Sequence, residues 1–149
     1  MKHASDSSEQ QTAESYMLEE LGRKLGLTLQ SSKLKLTTGN SVQIDGLNEE
    51  KQVLCEIYAR IGKLKSAQSD KVASDFLKML YVEKTFGCVW DKHFCFASEE
   101  AAASLQGQSW LTMAAKEMDV TIHVIEPSTA ITESLVAAQK RQVMVNKSS

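Results

Sequence analysis

The chain has 149 residues, 42% of them apolar and 24% charged, the make-up of one globular domain that builds a core without disulfide or metal staples. Its formal net charge of −2 argues against a strongly electrostatic nucleic-acid binder, unless the basic residues are segregated on one surface. Cys55, Cys88 and Cys95 stand at no metal-ligand spacing, which speaks against a zinc site and against a disulfide framework and fits a reducing compartment.

No apolar run approaches the length of a membrane span, and the opening residues MKHASDSSEQQ lack a signal-peptide core. The expectation is a cytoplasmic protein with no membrane partner. Residues 1–11 predict a disordered tail, residues 12–142 a single domain, and residues 143–149 a second tail.

In chain order, a helix is predicted from Thr12 or Ala13 to Lys24, with Met17, Leu18, Leu21 and Leu25 as its buried stripe. Glu14 lies one turn before Leu18 and shares that stripe, as a first-turn charge favoured by the helix dipole or as a ligand reaching inward. Gly26 suits the position just past the helix end. Leu27, Leu29, Leu34 and Leu36 then recur at period two, interrupted at Ser31 and Ser32. This pattern predicts an edge strand or a bent strand pair.

The stretch from Ser41 to Tyr58 reads as two strands joined by a polar turn, Gly46 to Lys51. Val42 and Ile44 alternate with Gln43 and Asp45; Val53, Cys55 and Ile57 alternate with Leu54, Glu56 and Tyr58. One carboxylate therefore falls in each otherwise apolar strand, where desolvation normally excludes it. If the strands are antiparallel neighbours, Asp45 and Glu56 converge on one face and hold a divalent cation. Alternatively, Asp45 starts the turn and Glu56 faces solvent.

From Arg60 to Lys84 six basic residues (Arg60, Lys63, Lys65, Lys71, Lys78, Lys84) face three acidic ones (Asp70, Asp75, Glu83). A helix is predicted from Ser66 to Phe86, ended by Gly87, with Val72, Phe76, Met79 and Leu80 inward and Gln68, Lys71, Asp75 and Lys78 along a polar stripe. His93 to Ala97 predicts a buried strand. Ser98 caps a helix that carries Glu99 and Glu100 in its first turn and runs toward Met118, broken near Gly107, with Leu105, Trp110, Leu111 and Ala114 inward. Val120 to Glu126 predicts the last strand, with His123 exposed or on a rim. A final helix follows Pro127 and runs to Arg141.

The order helix, three-strand meander, helix, strand, with an Asp ending the second strand and a Glu inside the third, resembles the PD-(D/E)xK nuclease superfamily. The resemblance spans Thr12 to Ala97 and rests on Glu14, Asp45 in VQIDG and Glu56 in VLCEIYAR. It implies an α/β fold: one domain with a central mixed β-sheet, an α-β-β-β-α-β core of restriction-endonuclease-like type, and an added α-β-α extension. It also implies that Glu14, Asp45 and Glu56 bind Mg²⁺ (or Mn²⁺), whose hard charge suits carboxylate oxygens and activates water toward a phosphodiester. The family carries a lysine two residues after the Glu; here Tyr58 stands there, neutral near pH 7. Some members move the lysine to the following helix, and Lys71, one turn after Gln68, is the choice among Lys63, Lys65, Lys71 and Lys78. Gln68 resembles a helix glutamine of some branches. The implied catalytic set is Asp45, Glu56, Tyr58 and Lys71, with Lys63, Lys65, Gln68 and Lys78 contacting nucleic acid, DNA foremost. Small members of the fold often work as homodimers.

Two functional readings stay open at this point. One is a Mg²⁺-dependent nuclease; the other is a non-catalytic module on the same fold that binds nucleic acid or protein through its basic helix edge. An α/β binding domain unrelated to nucleases is a third.

Overall fold

The most buried strand in the chain is β3 (Val53–Tyr58), all six of whose residues are shut from solvent. It lies at the centre of the sheet in the computed structural model, which describes residues 8–148. Before it come α1 (Ser8–Leu25), β1 (Gln30–Lys35) and β2 (Ser41–Asn48). After it come α2 (Ser66–Phe86), β4 (Asp91–Phe96), a short α3 (Glu99–Ala102), α4 (Trp110–Glu117), β5 (Val120–Val124) and α5 (Thr129–Ser148). The result is a single α/β domain whose five strands lie in sequence order, β1-β2-β3-β4-β5. The β1/β2 and β2/β3 pairs are antiparallel, whereas β3/β4 and β4/β5 are parallel. The parallel pairs require crossovers, which α2 and the α3–α4 segment supply.

The two faces of β3 set up two cores. Val53, Cys55 and Ile57 pack with Ala13, Met17 and Leu21 of α1 and Leu135 of α5. Leu54 and Tyr58 point the other way, into a layer with Val72, Phe76, Met79 and Val82 of α2 and with Phe94 and Phe96 of β4. Helices on both faces explain why β3 and β4 are buried along nearly their whole length. Among the described residues no helix is long and apolar enough to cross a membrane.

The helical stripe of α1 and the span of α2 match expectation, and Gly26 (φ 71°) and Gly87 (φ 67°) both take the left-handed conformation that ends a helix. Four expectations need correction. The first concerns the helix ends: α1 starts at Ser8, its first turn held by an ion pair from Glu9 to Arg141 of α5 at 2.6 Å. At the other end α5 continues to Ser148, since no glycine or proline stops it. The expected tails thus shrink; residues 1–7 and 149 lie outside the described residues. The second is Trp110, which is 75% exposed. Ser109 accepts the Thr112 N–H and starts α4 as a separate helix, whose phase turns Thr112 and Ala115 inward instead. The third is His123, which is buried and hydrogen-bonded to His93, Nε2 to Nδ1, at 2.8 Å; burial, with Lys24 and His93 beside it, lowers its pKa to about 4.

The fourth is the turn. Gly46 and Leu47 belong to β2, and the chain reverses at 49–52 with Gln52 at φ 57°. Strict alternation also fails in β2. Three residues, Ile44 to Leu47, advance against two on β1, Ser32 to Gln30, so that Ile44 and Leu47 both enter the α2 layer. This is a β-bulge, with Asp45 and Gly46 as the residues it displaces. Gly46 is a glycine because α1 crosses directly over it. A Cβ there would lie 2.5 Å from Leu18 Cδ1 and 3.1 Å from Cys55 Cβ. Gly46→Ala is expected to destabilise the domain by about 1–3 kcal/mol through overpacking. Chemical denaturation of Gly46→Ala, Leu18→Ala and the double variant checks this: the two changes should compensate in part, and strict additivity would rule out the contact as the cause.

Candidate active site

The bulge in β2 decides where Asp45 goes. Extending the β2/β3 register past Gly46↔Cys55 brings Asp45 opposite Glu56, but the backbone ladder stops there. The Asp45 carboxylate takes over, its Oδ2 accepting the Ile57 N–H at 3.0 Å. The same carboxylate lies beside Glu56, and two carboxyl groups this close disfavour each other's ionisation. Glu56 is 1% exposed. Burial first, then Asp45 and Asp75, raise its pKa from 4.5 to about 9.

The nearest cation to Glu56 is Lys78, whose Nζ lies 2.6 Å from Oε1 at an angle that makes no hydrogen bond. An ammonium at that distance favours the ionised carboxylate, yet burial and two like-charged neighbours outweigh it. Lys78 also reaches Asp75 Oδ1 at 3.3 Å and donates to the Gln43 carbonyl at 2.7 Å. Burial alone would pull the Lys78 ammonium down; Glu56 and Asp75 hold it above its ordinary value.

Asp75 gathers the rest. Expected on a solvated stripe, it is buried because it accepts the Tyr58 hydroxyl at 2.8 Å and pairs with Lys71 at 3.0 Å as well as with Lys78. A buried carboxylate persists where such partners replace its water. Tyr58 is locked by this bond and by its stack on Phe96, with ring centroids 5.0 Å apart. Burial and Asp75 push its phenol well above the usual range, so Tyr58 orients Asp75 and exchanges no proton near neutrality. Lys71 is different: its side chain is 59% exposed and its Nζ stands 5.6 Å from the centre of the Tyr58 ring.

These groups meet a cavity of about 420 Å³ at the end of β3, walled by α1, α5 and the start of α2. Asp45, Tyr58, Lys71, Gln68 and Glu14 all line it, so five of the residues singled out from the sequence share one space. Glu56 lies behind Asp45. Glu14 accepts a hydrogen bond from Gln10 Nε2 at 3.1 Å. The remaining candidates lie elsewhere. Lys63 and Lys65 are exposed outside the cavity wall, and Lys78 is held among carboxylates rather than displayed to a ligand. Gln68 Oε1 accepts the Lys65 N–H at 2.9 Å, capping α2. Sequence reasoning missed Asp75 as a buried hub and Arg60, Gln139 and Gln142 as cavity walls. The Lys71–Asp75–Lys78 spacing carried a signal for the first, since i,i+3 and i,i+4 ion pairs share a helix face.

Among the described residues no three His, Cys, Asp or Glu side chains cluster as ligands for one ion, so Glu14 does not join Asp45 and Glu56 as a third ligand. The residues present nonetheless fit Mg²⁺, which keeps several waters and takes one or two carboxylates plus substrate phosphate oxygens. Asp45 would be one such carboxylate and Glu56, once deprotonated, the other, its Oε1 then shared with the Lys78 ammonium 2.6 Å away.

No protein-family model matches the chain, and neither a curated protein nor a solved structure does.

The raised Glu56 pKa has a stability consequence with a definite sign. Between pH 4.5 and about 9 the folded protein holds a proton at Glu56 that the unfolded chain has lost. Stability therefore falls as pH rises through this window. Glu56→Gln removes that penalty. Its stability relative to wild type is expected to grow by up to about 1.4 kcal/mol per pH unit in the window and to level off below it. Urea denaturation at stepped pH checks this; parallel curves would remove Glu56 as the titrating group.

Proposed function

We propose that this protein is a Mg²⁺-dependent nuclease, hydrolysing phosphodiester bonds of nucleic acid, DNA foremost, on a restriction-endonuclease-like plan. The observation that carries the reading is the meeting of Asp45 and Glu56 from adjacent strands, with Asp45 lining a cavity that Lys71 also lines and Glu56 buried behind it. The element order, with its antiparallel meander followed by a helix and a parallel strand, supports the same plan.

When bound, Mg²⁺ polarises the phosphodiester and lowers the pKa of a coordinated water. Asp45 and Glu56 would hold it, and for this Glu56 would have to give up its proton. Lys78 remains beside Glu56 as a fixed countercharge, so the carboxylate keeps its rotamer with or without the metal. Lys71 reaches into the cavity and stabilises negative charge developing on the phosphate oxygens. Asp75 tethers the Lys71 ammonium through the Tyr58-anchored hydrogen bond, which limits the reorganisation that binding requires. The lysine of the family pattern is thus replaced by one arriving from α2.

Cleavage of single-stranded, duplex and branched DNA at low salt tests this, low salt because a chain of net charge −2 binds nucleic acid weakly when screened. Mg²⁺-dependent cleavage is expected in the wild type. It should vanish in Asp45→Asn and fall roughly 10²-fold or more in Lys71→Ala, the scale of a lost electrostatic stabiliser. Apparent metal affinity, measured by calorimetry with Mn²⁺, should rise with pH up to tenfold per unit below the Glu56 pKa, because binding expels the proton. Activity persisting in Asp45→Asn would refute the assignment. A second reading has one observation in its favour: the Lys78 ammonium already sits on Glu56. Metal binding without cleavage of any substrate would support that reading, a non-catalytic binding module.

A further inference from the structure

Arg60 is the one strongly basic group of the cavity wall that neither the family pattern nor the reading above employs. It follows β3 by two residues and lines the cavity with Asp45, Tyr58, Gln68 and Lys71. Its Nε is shut from solvent and has no hydrogen-bond partner among the described residues. A guanidinium stays charged throughout the accessible pH range, and a buried donor left without an acceptor is destabilising. The Nε–H is thus available to an acceptor that enters the cavity from outside the chain.

The backbone that carries Arg60 is fixed from two sides. Gln139 of α5 accepts the Ile61 N–H at 2.9 Å and donates to the Ile61 carbonyl at 3.0 Å. The next residue, Gly62, donates its N–H to Ser98 Oγ at 3.2 Å, the same hydroxyl that caps α3. Arg60 therefore has a rigid base, the condition for a preorganised anion site. At about 420 Å³ the cavity is on the scale of a small-molecule pocket, which suits one nucleotide unit and not the width of a duplex.

We propose that Arg60 is a phosphate-binding residue of this cavity, gripping the backbone of a single nucleic-acid strand whose neighbouring phosphate reaches Asp45 and Lys71. The proposal rests on the nuclease reading for the second phosphate but not for the first. The planar guanidinium offers two donors to a phosphate, the match for which arginine is chosen over lysine. The substrate class that follows is a single strand or an unpaired strand end.

Binding measured by fluorescence anisotropy without divalent cation tests this apart from cleavage. The probes are a short 5′-phosphorylated single-stranded oligonucleotide and a blunt duplex of the same sequence, with inorganic phosphate as competitor. Wild-type protein is expected to bind the single strand at least tenfold more tightly than the duplex. Arg60→Gln should weaken single-strand binding roughly 10-fold or more, with no loss of thermal stability because the unpartnered buried Nε–H has gone. Arg60→Lys should recover only part of the binding, and Gln139→Leu should weaken it while leaving the charge in place. Unchanged affinity in Arg60→Gln, equal affinity for the duplex, or no binding by the wild type would overturn the proposal. Arg60-dependent binding in a protein that never cleaves would sink the nuclease reading and leave the phosphate site standing. Cleavage that depends on Asp45 but is indifferent to Arg60→Gln would do the reverse.

Discussion

The structure around the cavity depends on one contact, that between the Asp45 and Glu56 carboxyl groups. Two carboxyl groups from neighbouring strands do not both ionise in a dry core, so one of them stays protonated or a cation intervenes. The antiparallel register of β2 and β3 brings Asp45 opposite Glu56, and the β1/β2 bulge falls at the same place. Gly46 lets α1 pack closely on β2, since a side chain there would have to displace Leu18 and crowd Cys55. A packing constraint between a helix and a strand thus becomes an electrostatic constraint at the floor of the cavity.

From that pair the polar groups extend in one connected chain across the α2 face of the sheet. Glu56 meets Lys78, Lys78 meets Asp75, and Asp75 joins Lys71 and the Tyr58 hydroxyl. Of these, Tyr58 and Lys71 line the cavity, and the direction of Lys71 is governed by partners that are themselves buried. Stability in such a network comes mainly from completeness, because removing one member leaves a charge behind without compensation. On the opposite face the polar pair His93 and His123 lies near the thiols of Cys55 and Cys95. Burial raises both thiol pKa values, that of Cys95 to about 12, and keeps these cysteines inert.

Much of the fold was legible in the sequence because its signals are local. The stripe Met17–Leu21 in α1, the span of α2 between Ser66 and Gly87, and the apolar β3 and β4 all report their own burial. The α/β mixed sheet follows from their order. What was not legible depends on contacts distant in sequence. A bulge inserts one residue and leaves the composition of β2 unchanged, so Asp45 read as an ordinary alternating residue. Asp75 sits at solvent-like i,i+4 spacing to Lys71, and only the Tyr58 hydroxyl arriving from β3 makes it a buried hub. Trp110 looked apolar enough for the core, but Ser109 reset the helix phase. His123 pairs across strands with a residue thirty positions away. At the site, Asp45, Tyr58, Gln68, Lys71 and Glu14 were readable as residues of interest; Arg60 and Gln139 were not, because a cavity wall has no local sequence pattern.

Asp45 and Glu56 form a carboxyl pair in which burial and the Asp45 neighbour keep Glu56 protonated near neutrality. Carbon-13 NMR titration of the side-chain carboxyls, with Glu56 assigned through Glu56→Gln, measures this directly. The account requires Glu56 to titrate near pH 9 in metal-free protein, to shift downward in Asp45→Asn, and to shift downward again when Mg²⁺ is added to wild type. A Glu56 carboxyl that titrates in the ordinary range near pH 4, unmoved by either change, would contradict it.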